Sequence, residues 1–208
     1  MSQFLEIHPD NPQRRLIRRA IEILREREGN VMAYPTDSCY ALGCLVGDKA
    51  AMERIRRIRQ LDRNHNFTLV VRDLSEIATY ARVDNRTFRF LKAHTPGPYT
   101  FILRATGEVP RRLQHPKRKT IGIRVPDHRI TQALLEELGE PLMSTTLILP
   151  GDDMPLTDPY EIRDRLGREL AVIIAGGACS PEPTTVIDMT GDVPEVVREG
   201  RGRVEELA

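Results

Sequence analysis

Short apolar runs bounded by Gly, Pro and polar residues recur along the chain, and stretches with helical spacing lie between them. VMAY, ALGCLV, FTLVV, YTFIL, TIGIRV, PLMSTTLIL, AVIIAGG, TTVIDM and PEVVREG read as strands. Leu16, Ile17, Ala20, Ile21 and Leu24 recur at helical spacing, as do Ala51, Met52, Ile55 and Ile58, and later Ile130, Leu134 and Leu138. Further helices are expected near 73–80, 84–93 and in DPYEIRDRLG. Two alternating periods call for a layered α/β fold. The alternation is not strict and several strands end in hairpin-like turns, so the expected sheet is mixed and twisted, with helices flanking it. FTLVV, residues 67–71, has no polar alternation after Thr68 and reads as a central strand. Asn11 and Pro12 are expected to open the first helix and Gly29 to end it. Asp48 and Asp127 are expected caps of later helices.

With 208 residues, 40% of them hydrophobic, one domain over residues 1–208 is expected. No apolar run approaches the roughly 20 residues that span a bilayer. The opening MSQFLEIHPDNPQRR lacks the apolar stretch of a signal peptide, so a cytoplasmic protein without a membrane partner is expected. Cys39, Cys44 and Cys179 are spaced for neither zinc nor CxxC chemistry and read as reduced thiols. The five histidines are scattered, and no metal site is expected. P-loop, GxSxG and HExxH patterns are absent. Net charge is +1 but uneven. Residues 54–63 hold five Arg against Asp62, and residues 111–129 hold seven Lys or Arg against Asp127. Such patches suit a phosphate-bearing ligand, an RNA backbone or plain solvation. Arg54, Arg57, Arg111, Arg112, Lys117, Arg118 and Lys119 are the candidate RNA contacts.

YPTDSCYALG, residues 34–43, packs three hydroxyls and a carboxylate between two strands. If extended, Thr36, Ser38 and Tyr40 point one way and Asp37 the other. That arrangement is either a hydrogen-bonding wall for a small polar ligand or a strand end capped by its own side chains. Arg124 interrupts an apolar strand, so it faces a carboxylate, a phosphate or solvent. Arg198 has the same character. Two such arginines, meeting the hydroxyl-rich ends at residues 144–146 and 184–185, would make an anion pocket.

These motifs resemble a known family. YPTDSCYALG is similar to the YPTDTVYGLG signature of the YrdC-like proteins. TPGPYTFIL resembles their PGPYT segment, IGIRVPDH their RVPDH strand, PTTVID their STVVD strand and VVREG their closing RxG element. The matches run in the family's order over about residues 30–200. CYALG, RIRQL, HNFTL, KRKTIG, GEP before STT, and REG resemble the YciO branch. The resemblance implies a twisted mixed sheet with a concave basic groove. It also implies synthesis of threonylcarbamoyl-adenylate from L-threonine, bicarbonate and ATP with Mg2+, for the t6A modification of tRNA. Some members bind double-stranded RNA. Carried over residue by residue, Thr36, Ser38, Tyr40, Arg124 and Thr185 fall on the threonine side. Arg59, Thr146 and Arg198 fall on the nucleotide side, with Arg63 a substitute from an inserted loop. Two patterns depart. The synthases' K-x-R is Arg59-Gln60-Leu61 here, and their S-x-N is Thr146-Leu147-Ile148. Those groups contact ATP in the family. The expectation is a t6A-related protein whose synthase activity is weakened or reversed to removal of threonylcarbamoyl from tRNA. The alternative is an RNA-binding protein without turnover. No catalytic residue is assigned.

Overall fold

The computed structural model describes residues 1–62 and 65–205. In chain order the elements are β1 (Gln3–Glu6), α1 (Arg14–Arg25), β2 (Met32–Tyr34), β3 (Ala41–Leu45), α2 (Lys49–Arg59) and β4 (Thr68–Val70). Then come α3 (Leu74–Tyr80), α4 (Asn85–His94), β5 (Tyr99–Arg104), a 3-10 turn (Arg111–Leu113), β6 (Thr120–Arg124) and α5 (Arg129–Leu138). β7 (Leu142–Thr146), α6 (Pro159–Leu166), β8 (Val172–Ala175), β9 (Thr185–Asp188) and β10 (Glu195–Arg198) follow. Among the described residues the strands form one sheet in the order β1-β8-β2-β3-β7-β4-β6-β5-β9-β10. Pairing is mixed: β8 is parallel to β1 and β2, and β4 to β6, while β3 and β7 run antiparallel to their neighbours. β4, from FTLVV, lies between β7 and β6 in the middle of the order.

Alternate side chains of the strands enter two cores. Ala33, Leu42, Leu69, Phe101, Ile123 and Ile173 meet α2, α3, α4 and α6 on one face. Met32, Tyr34, Val70, Leu142, Val172 and Ile174 meet α1 and α5 on the other. These two helices cover only half of their face. Beyond them, cross-strand neighbours on that same face are Thr68, Gly122 and Ile102, and then Thr100 and Val186. This uncovered half carries the cavity described below.

Several local expectations needed correction. β1 was not foreseen. α1 begins at Arg14, not at Pro12, and Gln13 caps it without a side-chain bond. The preceding turn is built by His8, whose Nδ1 accepts from the N–H of Asp10 (3.2 Å) and of Asn11 (3.1 Å). α5 starts after His128 rather than Asp127, because the Asp127 N–H bonds the Asp37 carboxylate at 2.8 Å. α1 ends at Arg25, before Gly29, which sits at φ +85° in the following turn. Asp48 caps α2 through the Ala51 N–H (2.9 Å) and also takes the Gly29 N–H (2.8 Å). No helix among the described residues is long and apolar enough to cross a membrane.

Candidate functional site

The segment between β2 and β3 is bent rather than extended. Its hydroxyls therefore do not form one wall. Thr36 Oγ1 and Ser38 Oγ meet each other at 3.0 Å, and Thr36 Oγ1 donates to the Cys39 carbonyl at 2.7 Å. Tyr40 is buried, donating to the Gly177 carbonyl (2.8 Å) and accepting from the Gly176 N–H (3.2 Å). Burial pushes its hydroxyl pKa up, so it stays protonated. Asp37 forms an ion pair with Arg124, whose Nη1 also donates to Ser38 Oγ at 3.2 Å. Arg124 thus takes the carboxylate alternative, while its Nε has no partner among the described residues.

Arg124 ends β6 and lines a cavity of about 320 Å³ on the uncovered sheet face. Arg59 from the end of α2, Arg118 from the loop before β6 and Arg198 from β10 line the same cavity. No Asp or Glu is among the described lining residues. Arg118 pairs with Asp188. Arg59 and Arg198 have only neutral hydrogen-bond partners among the described residues. Arg59 donates to the Ile148 carbonyl (2.9 Å) and Thr145 Oγ1 (2.6 Å), and Arg198 to the Thr184 carbonyl (2.8 Å). Burial lowers the pKa of both, which marks charges taken from water without an anionic partner.

The floor is hydroxyl-rich. Thr68, Thr100, Thr120, Ser144 and Thr146 line it, and Thr100 and Thr184 share a hydrogen bond of 2.8 Å. Gly122 keeps the centre open: a Cβ there would lie 3.3 Å from Thr68 Oγ1 and 3.4 Å from Thr100 Cγ2. Cys39 also lines the cavity, with its thiol pKa raised by burial. His65 reaches Thr145 Oγ1 at 3.2 Å. Its pKa is lowered by burial first and by Arg59 and Arg56 as well, Asp62 opposing. His115 accepts at Nδ1 from the N–H of Arg118 (3.1 Å) and Lys117 (3.3 Å), which places its ring proton on Nε2 when neutral.

The structure therefore brings Arg59, Arg124, Thr146 and Arg198 to one cavity, together with Arg118 from the RNA candidates. Thr36, Ser38, Tyr40 and Thr185 lie buried outside its lining. The Thr185 hydroxyl is taken up by the Gly202 carbonyl (2.6 Å) and the Gly200 N–H (3.0 Å). Arg63 lies outside the described residues. The basic run of α2 splits into two stripes at i, i+3 spacing. Arg54 and Arg57 reach Glu169, while Arg56 and Arg59 turn to the cavity side. Arg111, Arg112, Lys117 and Lys119 are exposed around the 3-10 turn. Cys39, His65, His115, Thr68, Thr100, Thr120 and Gly122 were not foreseen in the site. The readable signal was Thr120-Ile121-Gly122-Ile123-Arg124, whose period of two puts every polar residue on one face.

A family model named for Sua5, YciO and YrdC, described as telomere recombination, matches residues 25–200. The chain belongs to the Sua5/YciO/YrdC family. It is 62% identical to Escherichia coli (strain K12) YciO over 205 residues, covering 99% of this chain and 98% of that protein. The crystal structure of E. coli YciO superimposes with a TM-score of 0.94 at 61% identity, covering 100% of both chains. A threonylcarbamoyl-AMP synthase from Vibrio vulnificus (strain YJ016) is 32% identical over 153 residues, 72% of this chain and 81% of that protein. P. abyssi Sua5, solved in complex with L-threonine, has the same fold, with a TM-score of 0.89 at 24% identity; the match covers 99% of this chain and 59% of that one. The YrdC-like fold implied by the motifs is therefore the fold observed. At the family's S-x-N position, Thr146 and Ile148 both line the cavity. At its K-x-R position, Arg59 lines it, and Gln60 is the left-handed cap of α2 at φ 51°.

Proposed function

We propose that this protein acts in t6A metabolism by removing the threonylcarbamoyl group from tRNA. The observation that carries the reading is the cavity itself: Arg59, Arg124 and Arg198 at the family's motif positions, joined by Arg118, over a floor of hydroxyls with no carboxylate among the described lining residues. Such a lining suits a ligand that joins a carboxylate and a phosphate-bearing nucleoside, which is what threonylcarbamoyl-adenosine in RNA presents. Relatives named as threonylcarbamoyl-AMP synthases support the threonylcarbamoyl part. Ile148 supports removal over synthesis, since an apolar side chain stands where the synthases carry an amide that contacts ATP.

Removal is a hydrolysis. Water adds to the ureido carbonyl, the bond from that carbon to the adenine exocyclic nitrogen breaks, and the nitrogen takes a proton. The threonine carbamate departs. Developing charge on the carbonyl oxygen is stabilised by fixed guanidinium groups, with Arg59 and Arg198 the two lacking an anionic partner. His65, kept neutral by burial and by Arg59, takes the proton from water; His115 has its Nδ1 lone pair already engaged. ATP is a substrate only if synthesis is retained. Among the described residues the lining offers magnesium no carboxylate, and no three His, Cys, Asp or Glu side chains gather. The ion does not fit as a resident of this site, and no step uses it.

A paired assay on the purified protein tests the reading. The expected result is loss of t6A from modified tRNA without threonine-dependent pyrophosphate from ATP, threonine, bicarbonate and Mg2+. Pyrophosphate release would restore synthesis. Silence in both would leave tRNA or double-stranded RNA binding without turnover, a reading that the exposed basic residues 111–119 favour.

A further inference from the structure

A second, smaller cavity of about 200 Å³ adjoins the first. The two share His65, Asn66, Phe67 and Leu113 in their walls. The smaller one is ringed by Arg56, Arg111 and Arg112. Arg56 lies over the Phe67 ring at 5.3 Å and pairs at 2.5 Å with the exposed Glu53. Its Nε is buried and has no partner among the described residues. Arg112 is tied to the Gly47 carbonyl at 2.8 Å, which fixes the 3-10 turn against the start of α2. Arg111 is exposed. Arg56 and Arg59 lie one turn apart on α2, so one cation serves each cavity.

We propose that the smaller cavity is a phosphodiester subsite, so that the ligand of the larger cavity is a ribonucleotide within a strand rather than a free nucleotide. This rests on the function proposed above and names its substrate class. The smaller cavity has the charge for a phosphate but not the volume for another nucleoside. A mononucleotide fills the first cavity and leaves the second without an anion. A strand continues from one into the other past His65, and its backbone charge meets three guanidinium groups. None of the three is among the family motif positions carried over above.

The test compares adenosine 5′-monophosphate with single-stranded hexa-adenylate RNA, by calorimetry, on the full chain. Wild type should bind the RNA tighter by about tenfold or more, the effect of one or two charge-assisted contacts. Arg111→Gln with Arg112→Gln should abolish that advantage and leave the mononucleotide affinity unchanged. Both side chains are exposed, but Arg112→Gln also frees the Gly47 carbonyl, so Arg111→Gln alone and Arg56→Gln serve as independent variants. The slope of log affinity against log salt for RNA should fall by about 0.7 for each phosphate no longer held. An RNA advantage that survives all three substitutions, or a mononucleotide affinity that falls with it, would overturn the subsite. RNA binding through these arginines without any mononucleotide binding would keep the subsite and remove the nucleotide from the larger cavity. Failure of wild type to bind either probe would remove both.

Discussion

Asp37 and Arg124 have side chains only 8% and 9% exposed, and each needs the other. Removing one partner of a buried pair strands a charge, at about 3–5 kcal/mol. Asp37→Asn is expected to lower stability by roughly 3 kcal/mol in urea unfolding, and to release Arg124 from its fixed position in the cavity. Two histidines act differently. His65 and His128 both sit below the ordinary 6.5 because burial disfavours the charged ring. Arg59, Arg56 and Asp62 surround the first; Asp37, Arg124, Asp127 and Asp10 surround the second. The unfolded chain then binds protons before the folded one does. Stability is complete above about 6.5 and falls as the pH drops through the window below it. The urea midpoint should decline on acidification, and His65→Asn with His128→Asn should flatten that decline. A bound anion near His65 should raise its pKa and remove part of the slope.

The strands explain why the site sits where it does. β6 presents Thr120, Gly122 and Arg124 to the cavity and Ile121 and Ile123 to the core beneath. Gly122→Val keeps a residue type that strands favour but fills the floor. Ligand affinity should drop tenfold or more in calorimetry, while the far-ultraviolet circular dichroism stays that of the wild type. These elements differed in how legible they were. FTLVV and TIGIRV read correctly because their apolar runs record burial that the whole sheet imposes. β1 left no trace, since four residues at a sheet edge derive their structure from pairing with β8, a distant part of the chain. The start of α1 was misread because the side chain of His8, not that of Asn11, organises the turn before it. In the site, Arg124 and Arg198 stood out as charges in apolar strands. Thr36, Ser38 and Tyr40 stood out as strongly, yet the first two bond within the bend and to Arg124, and Tyr40 bonds Gly176 and Gly177; an alternating pattern carries no information about a bend.

At the scale of the molecule, the cavity exists because α1 and α5 stop halfway across their face. The last described residues pack against β5 and β9 outside the cavity lining. Tyr99 donates to the Arg203 carbonyl at 3.1 Å and Thr185 to that of Gly202 at 2.6 Å. A Cβ on Gly202 would come within 2.3 Å of the Tyr99 ring. Gly202→Ala should therefore lift this segment, cost about 1–3 kcal/mol through the hydroxyl of Thr185, and loosen Arg198 next to it. A lowered thermal midpoint together with weaker mononucleotide binding is the expected pair of results.

β10, which carries Arg198, closes the sheet on that side with an irregular register. Val196 pairs with Ile187, but Arg198 rather than Val197 pairs with Val186. The extra residue turns the guanidinium toward the cavity that Val186 lines and leaves Val197 exposed. The same kink breaks the even row of donors and acceptors that another strand would need in order to add on. The residue spent on aiming one arginine thus also guards the open margin of a ten-stranded sheet against growing into a neighbouring copy.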